Sequence, residues 1–380
     1  MHLWRVFRRK LAPLLELQAD SDFFALLRQL LVVSGVHLET NRAWVRWLFR
    51  LYQLLYPAQC LIWLYRTWLV AFVEQNKTLS LSLLCGLFAL TTISVRCWLI
   101  LLSYGRLATV RRYINSQRFL RNDPTARQIR QRAFRANNTL TLGLVAYGLV
   151  NFLVYELFGL QSHDIFRMPD YLWRTNATLA WTLHVAVHPM TLTGLAAFVA
   201  SFLNMHTLLT ALQAEFRLVE YAFGGLLSRR VGESPDVDGL WCELNRELGC
   251  CVREHCEVVR HIREVNRVFS FSIIVQYYTA LLSLAIDTFF VSYHGFDFVT
   301  VMVVTFSTLL VFEWYHSCKL VEDLQATLFP STANGRRLTN TSPITIAALL
   351  AISARLHHRL GLGFIAAGST VALLLLLLLM

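Results

Sequence analysis

Seven stretches of this sequence are apolar over about the length needed to cross a lipid bilayer, and no other feature restricts the fold as strongly. A transmembrane helix takes about 20 mostly apolar residues, because in hydrocarbon every backbone N–H and C=O must be bonded within the protein. Measured against that length, the chain offers spans at 48–73, 79–102, 139–160, 180–205, 268–293, 296–312 and 360–380. The fold class that follows is all-α, a polytopic membrane helix bundle of about seven spans. Composition agrees: 56% of residues are apolar and 16% charged, with a mean hydropathy of +0.47, against about 25% charged in an ordinary soluble domain. Soluble enzyme classes fit this balance poorly.

Orientation follows from where Arg and Lys sit in short connections, since these residues are retained on the cytoplasmic side. Before the first span stand Arg5, Arg8, Arg9, Lys10, Arg28, Arg42 and Arg46. Between the second and third spans lie nine arginines, from Arg106 and Arg111 through Arg130, Arg132 and Arg135, opposed only by Asp123. The connections on the other side carry just Lys77, Arg167 and Arg174. The amino terminus is therefore expected in the cytoplasm, and an odd number of spans puts the carboxy terminus outside, the reverse of a G-protein-coupled receptor. The net charge of +11 could suit a nucleic-acid partner, but these arginines border apolar spans and form no basic domain, so no nucleic acid is expected.

Asn-x-Ser/Thr sequons at Asn76 and Asn176 fall in the expected external loops, while those at Asn137 and Asn340 fall inside. The first 47 residues show no cleavable signal peptide: their apolar stretches are interrupted by Glu16, Asp20, Asp22 and Arg28. Phe23, Phe24, Leu26, Leu27, Leu30 and Leu31 lie on one side of that segment, with Arg28 and Gln29 on the other. This pattern reads as an amphipathic helix on the inner leaflet.

The organisation read from these features is a cytoplasmic amphipathic amino-terminal segment at 1–47, spans one to four at 48–205, and a cytoplasmic helical segment at 206–267. Spans five and six follow at 268–312, then a cytoplasmic segment at 313–359 and a hydrophobic seventh span at 360–380. About 60 residues between the fourth and fifth spans are too many for a simple loop, and Gly224, Gly225 and the turn-forming Ser234, Pro235 and Asp236 divide them into two helices. In the second, Trp241, Leu244, Leu248, Cys251, His255, Val258, Ile262, Val265 and Phe269 recur at the spacing of one helical face. That helix leaves the membrane and buries one face against protein.

All eight cysteines fall in spans or on the expected cytoplasmic side, which indicates no extracellular disulfide framework. Cys250, Cys251, His255, Cys256 and His261 cluster in sequence but lack the paired spacing of structural zinc and are spread around one helix, so no metal is expected. There is no Walker A loop, no GxGxxG, no GxSxG and no HExxH. No catalytic residue and no cofactor are expected.

The run from Cys251 to Phe290, with His255, Ile262, then Phe269, Ser270 and Phe271 leading into the fifth span and Gln276 within it, resembles the long helix and span entry of insect odorant receptors. The segment FEWYHSCKLVEDLQATLF, from Phe312 to Phe329 with Cys318, Glu322, Asp323 and Leu324, is similar to the pattern that follows that family's sixth span. The likeness covers roughly residues 20 to 330. It implies a multi-pass plasma-membrane protein of olfactory sensory neurons whose cytoplasmic helical extensions form an anchor domain. It further implies a hetero-tetramer with the shared odorant receptor co-receptor, acting as a cation channel gated by small volatile organic ligands and lined by the seventh span. After Phe329 the sequence departs from the family, ending in a run of seven leucines without the family's closing motif. The segment 360–380 is uncharged and long enough to span, flanked by Arg355, His357, His358 and Arg359, and an inserted hairpin is the alternative.

A pocket for such ligands is mostly apolar and aromatic with a few polar groups that set orientation. The outer halves of the spans supply Phe88, Phe152, Tyr155, Trp181, His184, His188 and Asp287 as the expected ligand-binding residues, with Trp68 and Phe72 nearby in the first span. His184 and His188 share a helix face, and Pro189 after them frees a backbone carbonyl. Arg66, Arg96 and Glu156 lie nearer span ends, where long side chains snorkel, and are assigned no function. A gustatory-type receptor and a small-molecule membrane transporter are the alternative readings; the first lacks its terminal signature, and the second lacks an internal repeat.

Overall fold

The protein is described by a computed structural model that places residues 15–18, 21–75, 77–116, 118–159, 170–228, 237–294 and 298–328. Among these residues the secondary structure is helical, without strands. The helices are α1 (Ala25–Val33), α2 (Ala43–Gln53), α3 (Leu55–Trp68), α4 (Lys77–Leu102), α5 (Tyr104–Ser116), α6 (Pro124–Gly159), α7 (Asp170–Thr175), α8 (Ala177–Ser228), α9 (Val237–His294) and α10 (Phe298–Leu328). A π-helical turn, Leu69–Glu74, continues α3. The chain divides into two units, 1–320 and 321–380; of the second, the described residues are the last turns of α10.

Wherever the chain is described, the six expected spans that precede residue 313 fall on helices, the first of them divided at Leu54 between α2 and α3. The expected span 360–380 lies outside the described residues. Three helices run far past any bilayer. At 36, 52 and 58 residues, α6, α8 and α9 extend roughly 54, 78 and 87 Å at 1.5 Å per residue, against ~30 Å of hydrocarbon. The fourth span is thus continuous with the helix that follows it, through Gly224 and Gly225, and the long amphipathic helix is continuous with the fifth span. By length and apolarity alone, 124–154 and 192–226 qualify among the described residues as membrane-crossing helices, and 86–102 with 104–116, bent by 68°, makes a third if read together.

Local sequence explains where these helices begin. Pro124 opens α6 at the position where its missing N–H costs nothing, and the Asp123 carboxylate accepts hydrogen bonds from the backbone N–H groups of Thr125 and Ala126 at 2.7 and 3.0 Å. Asn176 caps α8 by accepting the N–H of Leu179 at 3.0 Å. Gly35 turns the chain after α1 at φ +72°, a conformation that other residues rarely adopt. At Gly86 a Cβ would stand 2.5 Å from the Trp63 ring, so the lack of a side chain lets α3 close on α4.

The core centres on α8, which packs against α6, α9, α1 and α4. Leu203, Leu208, Leu212 and Leu218 on it are wholly buried. The outer surface is apolar where a soluble protein would be polar: Trp44, Leu61, Phe72, Trp98, Leu149 and Leu281 all stand exposed, as expected of side chains meeting lipid.

The amino-terminal segment differs from expectation. Phe23, Phe24, Leu27 and Leu31 are 4%, 3%, 3% and 1% exposed, so this apolar face is covered by protein and not by the inner leaflet. Phe23 sets its ring edge-on to Phe134 of α6 at 5.5 Å, and Asn115 and Gln131 bond the backbone of Phe23, Leu15 and Leu17. Burying each such side chain is worth about 1.5–3 kcal/mol, which outweighs partial immersion in a lipid interface. Helix α2, by contrast, has no buried residue, with Trp44, Trp47, Leu48 and Leu51 exposed beside Arg46 and Arg50.

Candidate functional site

Of the expected ligand-binding residues, Phe88 on α4, Phe152 on α6 and His184 on α8 are half-buried. Trp181 is 59% exposed and lies 6.0 Å, ring to ring, from His184. Trp68 and Phe72 are likewise exposed, 6.4 Å apart. Tyr155, His188 and Asp287 belong to α6, α8 and α9, but their side chains lie outside the described residues. Trp181 and His184 are therefore the expected pair that is seen side by side. Beside them, Leu172 of α7 and Ala180 of α8 form a small core with Ile62, Trp173 and Leu183.

One face of α4 joins Phe88 to a buried polar layer. Thr92 is one turn along, donating its hydroxyl to the Phe88 carbonyl at 3.0 Å and meeting the Thr279 hydroxyl of α9 at 2.8 Å. One turn further, Arg96 sends Nη1 to both carboxylate oxygens of Glu313 on α10, at 3.1 and 3.0 Å. Gln276 of α9 donates to the same carboxylate at 2.7 Å, and the Phe198 ring of α8 stands 5.8 Å from the guanidinium. Arg96, Gln276 and Glu313 are 4%, 2% and 1% exposed. Arg96 Nη2 is buried with no hydrogen-bond partner.

This corrects the expectation that Arg66 and Arg96 snorkel. Both are buried, Arg66 to 1% with its guanidinium 5.3 Å from the Trp63 ring, because α4 and α3 have protein, not a lipid interface, on the faces that carry them. The side chain of Glu156 lies outside the described residues.

A second polar region gathers at the arginine-rich end. Arg130 of α6 forks onto Glu215 of α8, Nε to Oε1 and Nη2 to Oε2 both at 2.7 Å, and Nη2 also reaches the Phe119 carbonyl at 2.9 Å. Tyr104 donates its hydroxyl to Glu39 at 2.6 Å and stacks on His37, while Arg111 bonds Asn204 at 2.6 Å. Burial and then the Glu39 hydrogen bond push the Tyr104 hydroxyl up to about 12, and the same bond holds the Glu39 carboxyl below its ordinary value. Burial lowers His37 as well.

On α9 the expected stripe is buried at Cys251, Val258, Ile262, Val265 and Phe269, whereas Leu248 is 41% exposed. The side chain of Trp241 lies outside the described residues. His255 rests on Phe216 at 5.3 Å and His261 on Tyr113 at 4.5 Å, both held below the ordinary imidazole value by burial first. Cys250 and Cys256 point to the exposed side. Among the described residues no group of three His, Cys, Asp or Glu is arranged to hold a metal ion. Asn137 is 1% exposed, so its sequon is closed to glycosylation in the folded chain, while Asn176 is exposed.

The sequence model of the 7tm odorant receptor family matches residues 76–327, more than half of the chain. The chain belongs to that family. The match ends two residues before Phe329, where the sequence departs from the family pattern. The fold is similar to that of the insect olfactory receptor OR5 from Machilis hrabei, with a TM-score of 0.59 at 13% identity over 94% of this chain and 98% of that one. No curated protein matches. This odorant receptor is thus an all-helical membrane protein and not an enzyme.

Proposed function

We propose that this odorant receptor is the ligand-recognising subunit of a cation channel, assembled with a co-receptor as a hetero-tetramer in the plasma membrane of olfactory sensory neurons. The family match over 76–327 carries the reading. About seven spans with a cytoplasmic amino terminus fit the arginine distribution, since the buried Arg130 and the half-buried Arg111 and Tyr104 lie on the segments that connect the second and third apolar runs. The long ends of α6, α8 and α9 then supply the cytoplasmic anchor.

The ligand is a small volatile organic molecule held among Phe88, Phe152, Tyr155, Trp181, His184, His188 and Asp287. Aromatic faces supply apolar area and the histidines supply orientation. The test expresses the chain with the co-receptor in oocytes, beside a chimera carrying a conventional family ending after Phe329, and records current evoked by a panel of volatile esters, ketones, alcohols and phenols. Current from the chimera, with or without current from the full chain, supports the reading. Silence from both with surface expression shown contradicts it. His184→Ala and His188→Ala change the order of preference within the panel if those rings orient the ligand.

A further inference from the structure

Ionisable groups inside a bilayer carry a large desolvation cost and persist where they face protein and serve function. A buried ion pair is also weak evidence for stability, because apolar residues of similar volume often replace it without loss. The Arg96–Glu313 pair falls under both statements. Arg96 lies within the apolar run 79–102 and Glu313 directly follows the run 296–312. They are 4% and 1% exposed and separated by 217 positions in sequence.

The geometry of the pair is incomplete. Glu313 accepts from Arg96 Nη1 and from Gln276, yet Nη2 of the same guanidinium is buried without a partner. A structural arginine would turn its flat fork so that two nitrogens each meet an oxygen, the arrangement of greatest strength. A single nitrogen shared by both oxygens leaves a donor that a second arrangement of the helices can satisfy. The Thr92–Thr279 contact lies one turn outward and ties the same two helices, α4 and α9. Phe88 is a further turn out on that face, its carbonyl bonded by Thr92.

We propose that Arg96, Gln276 and Glu313 form a gating latch, a set of positioning residues that holds α4, α9 and α10 in the ligand-free arrangement and is remade when a ligand beside Phe88 shifts α4. The proposal rests on the reading of the chain as a channel subunit. Bistable packed contacts of this kind convert small displacements at a binding site into a change of state. The strand of contact from Phe88 through Thr92 to Arg96 runs along one helix and needs no long-range intermediary.

The test has two arms. In the first, wild type, Glu313→Gln and Gln276→Leu are expressed with the co-receptor, and surface amount, ligand-free current and the concentration dependence of the evoked current are measured with the panel above. The latch predicts unchanged surface amount for Glu313→Gln, a raised ligand-free current and a half-maximal concentration lowered about tenfold, with a smaller shift of the same sign for Gln276→Leu. A purely structural pair would lower surface amount and leave the curve of the surviving receptors in place, which overturns the proposal, as does no change at all. Should Glu313→Gln fail to reach the surface, Arg96→Met with Glu313→Met removes both charges together and is read by the same criteria.

The second arm needs no current. Thr92→Cys with Thr279→Cys is oxidised in membranes, and cross-linking is read after cleavage at a protease site placed within 229–236. Cross-linking slowed about tenfold by Glu313→Gln supports the latch. An unchanged rate overturns it even if the currents change. Silence at the surface from wild type and from the chimera alike fails the channel reading alone, because this arm still decides whether the pair holds the helices.

Discussion

Among the described residues two buried arginine–glutamate pairs join distant parts of this chain, and they are built differently. Arg130 and Glu215 meet as a two-pronged fork with both contacts at 2.7 Å, and a spare arginine N–H is absorbed by the Phe119 carbonyl. Arg96 and Glu313 meet through a single nitrogen, borrow Gln276 and leave Nη2 without a partner. Burial is nearly the same, 4% for Arg130 and 6% for Glu215 against 4% and 1% for the other pair. Depth alone therefore does not separate them. What separates them is completeness: the first pair has one best arrangement, so it fastens α6 to α8, while the second has an unmet donor that favours an alternative.

The largest effect is expected from breaking the complete pair. Glu215→Ala leaves Arg130 charged and unpaired among buried side chains, which costs about 3–5 kcal/mol. Receptor at the cell surface, counted by labelling intact cells, falls to a small fraction of wild type, while the concentration dependence of the remaining current keeps its place. Glu313→Gln is expected to do the opposite, moving the curve about tenfold at full surface amount. Next comes Thr92→Val, which removes one hydroxyl contact to Thr279 worth about 1 kcal/mol. Its shift is a few-fold, in the direction of Glu313→Gln, because it loosens the same two helices from the neighbouring turn.

The smallest effect belongs to the Glu39–Tyr104 tether at the arginine-rich end. The Tyr104 hydrogen bond, the first of its causes, holds the folded Glu39 carboxyl below its ordinary value of 4.5. Its stabilisation is complete above that unfolded value and is lost as pH falls through the lower folded one. Protease protection of the segment around Glu39 in solubilised receptor should weaken slightly as pH falls below the ordinary carboxylate value of 4.5. Glu39→Gln should remove that pH dependence while leaving protection at pH 7 only marginally lower.

Much of the helical layout was legible in the sequence. Apolar runs of bilayer length are a local property, and so is the 3.6-residue recurrence that buries Cys251, Val258, Ile262, Val265 and Phe269 along one face of α9. What a single sequence hid was partnership. Phe23 and Leu27 announce an apolar face but not whether lipid or protein covers it, and Arg96 near a span end looks like a snorkelling residue until Glu313, 217 positions away, is found beside it. A signal was present: an arginine on the same helix face as Thr92, inside an apolar run, calls for a partner by the cost of its desolvation. The continuity of α8 through Gly224 and Gly225 was hidden for another reason, since two adjacent glycines, each weakening a helix by about 1 kcal/mol, read locally as its end although the helix runs on to Ser228.

The most direct measurement is evoked current per surface receptor, recorded with the co-receptor for wild type, Glu313→Gln and Glu215→Ala in one series. Wild type should conduct on application of the volatile panel, Glu313→Gln should conduct at lower concentrations with equal receptor number, and Glu215→Ala should lose receptor number without moving the curve. Silence at full surface density from wild type and from the chimera with a conventional family ending alike, or a Glu313→Gln curve that overlies the wild-type one, would contradict this account.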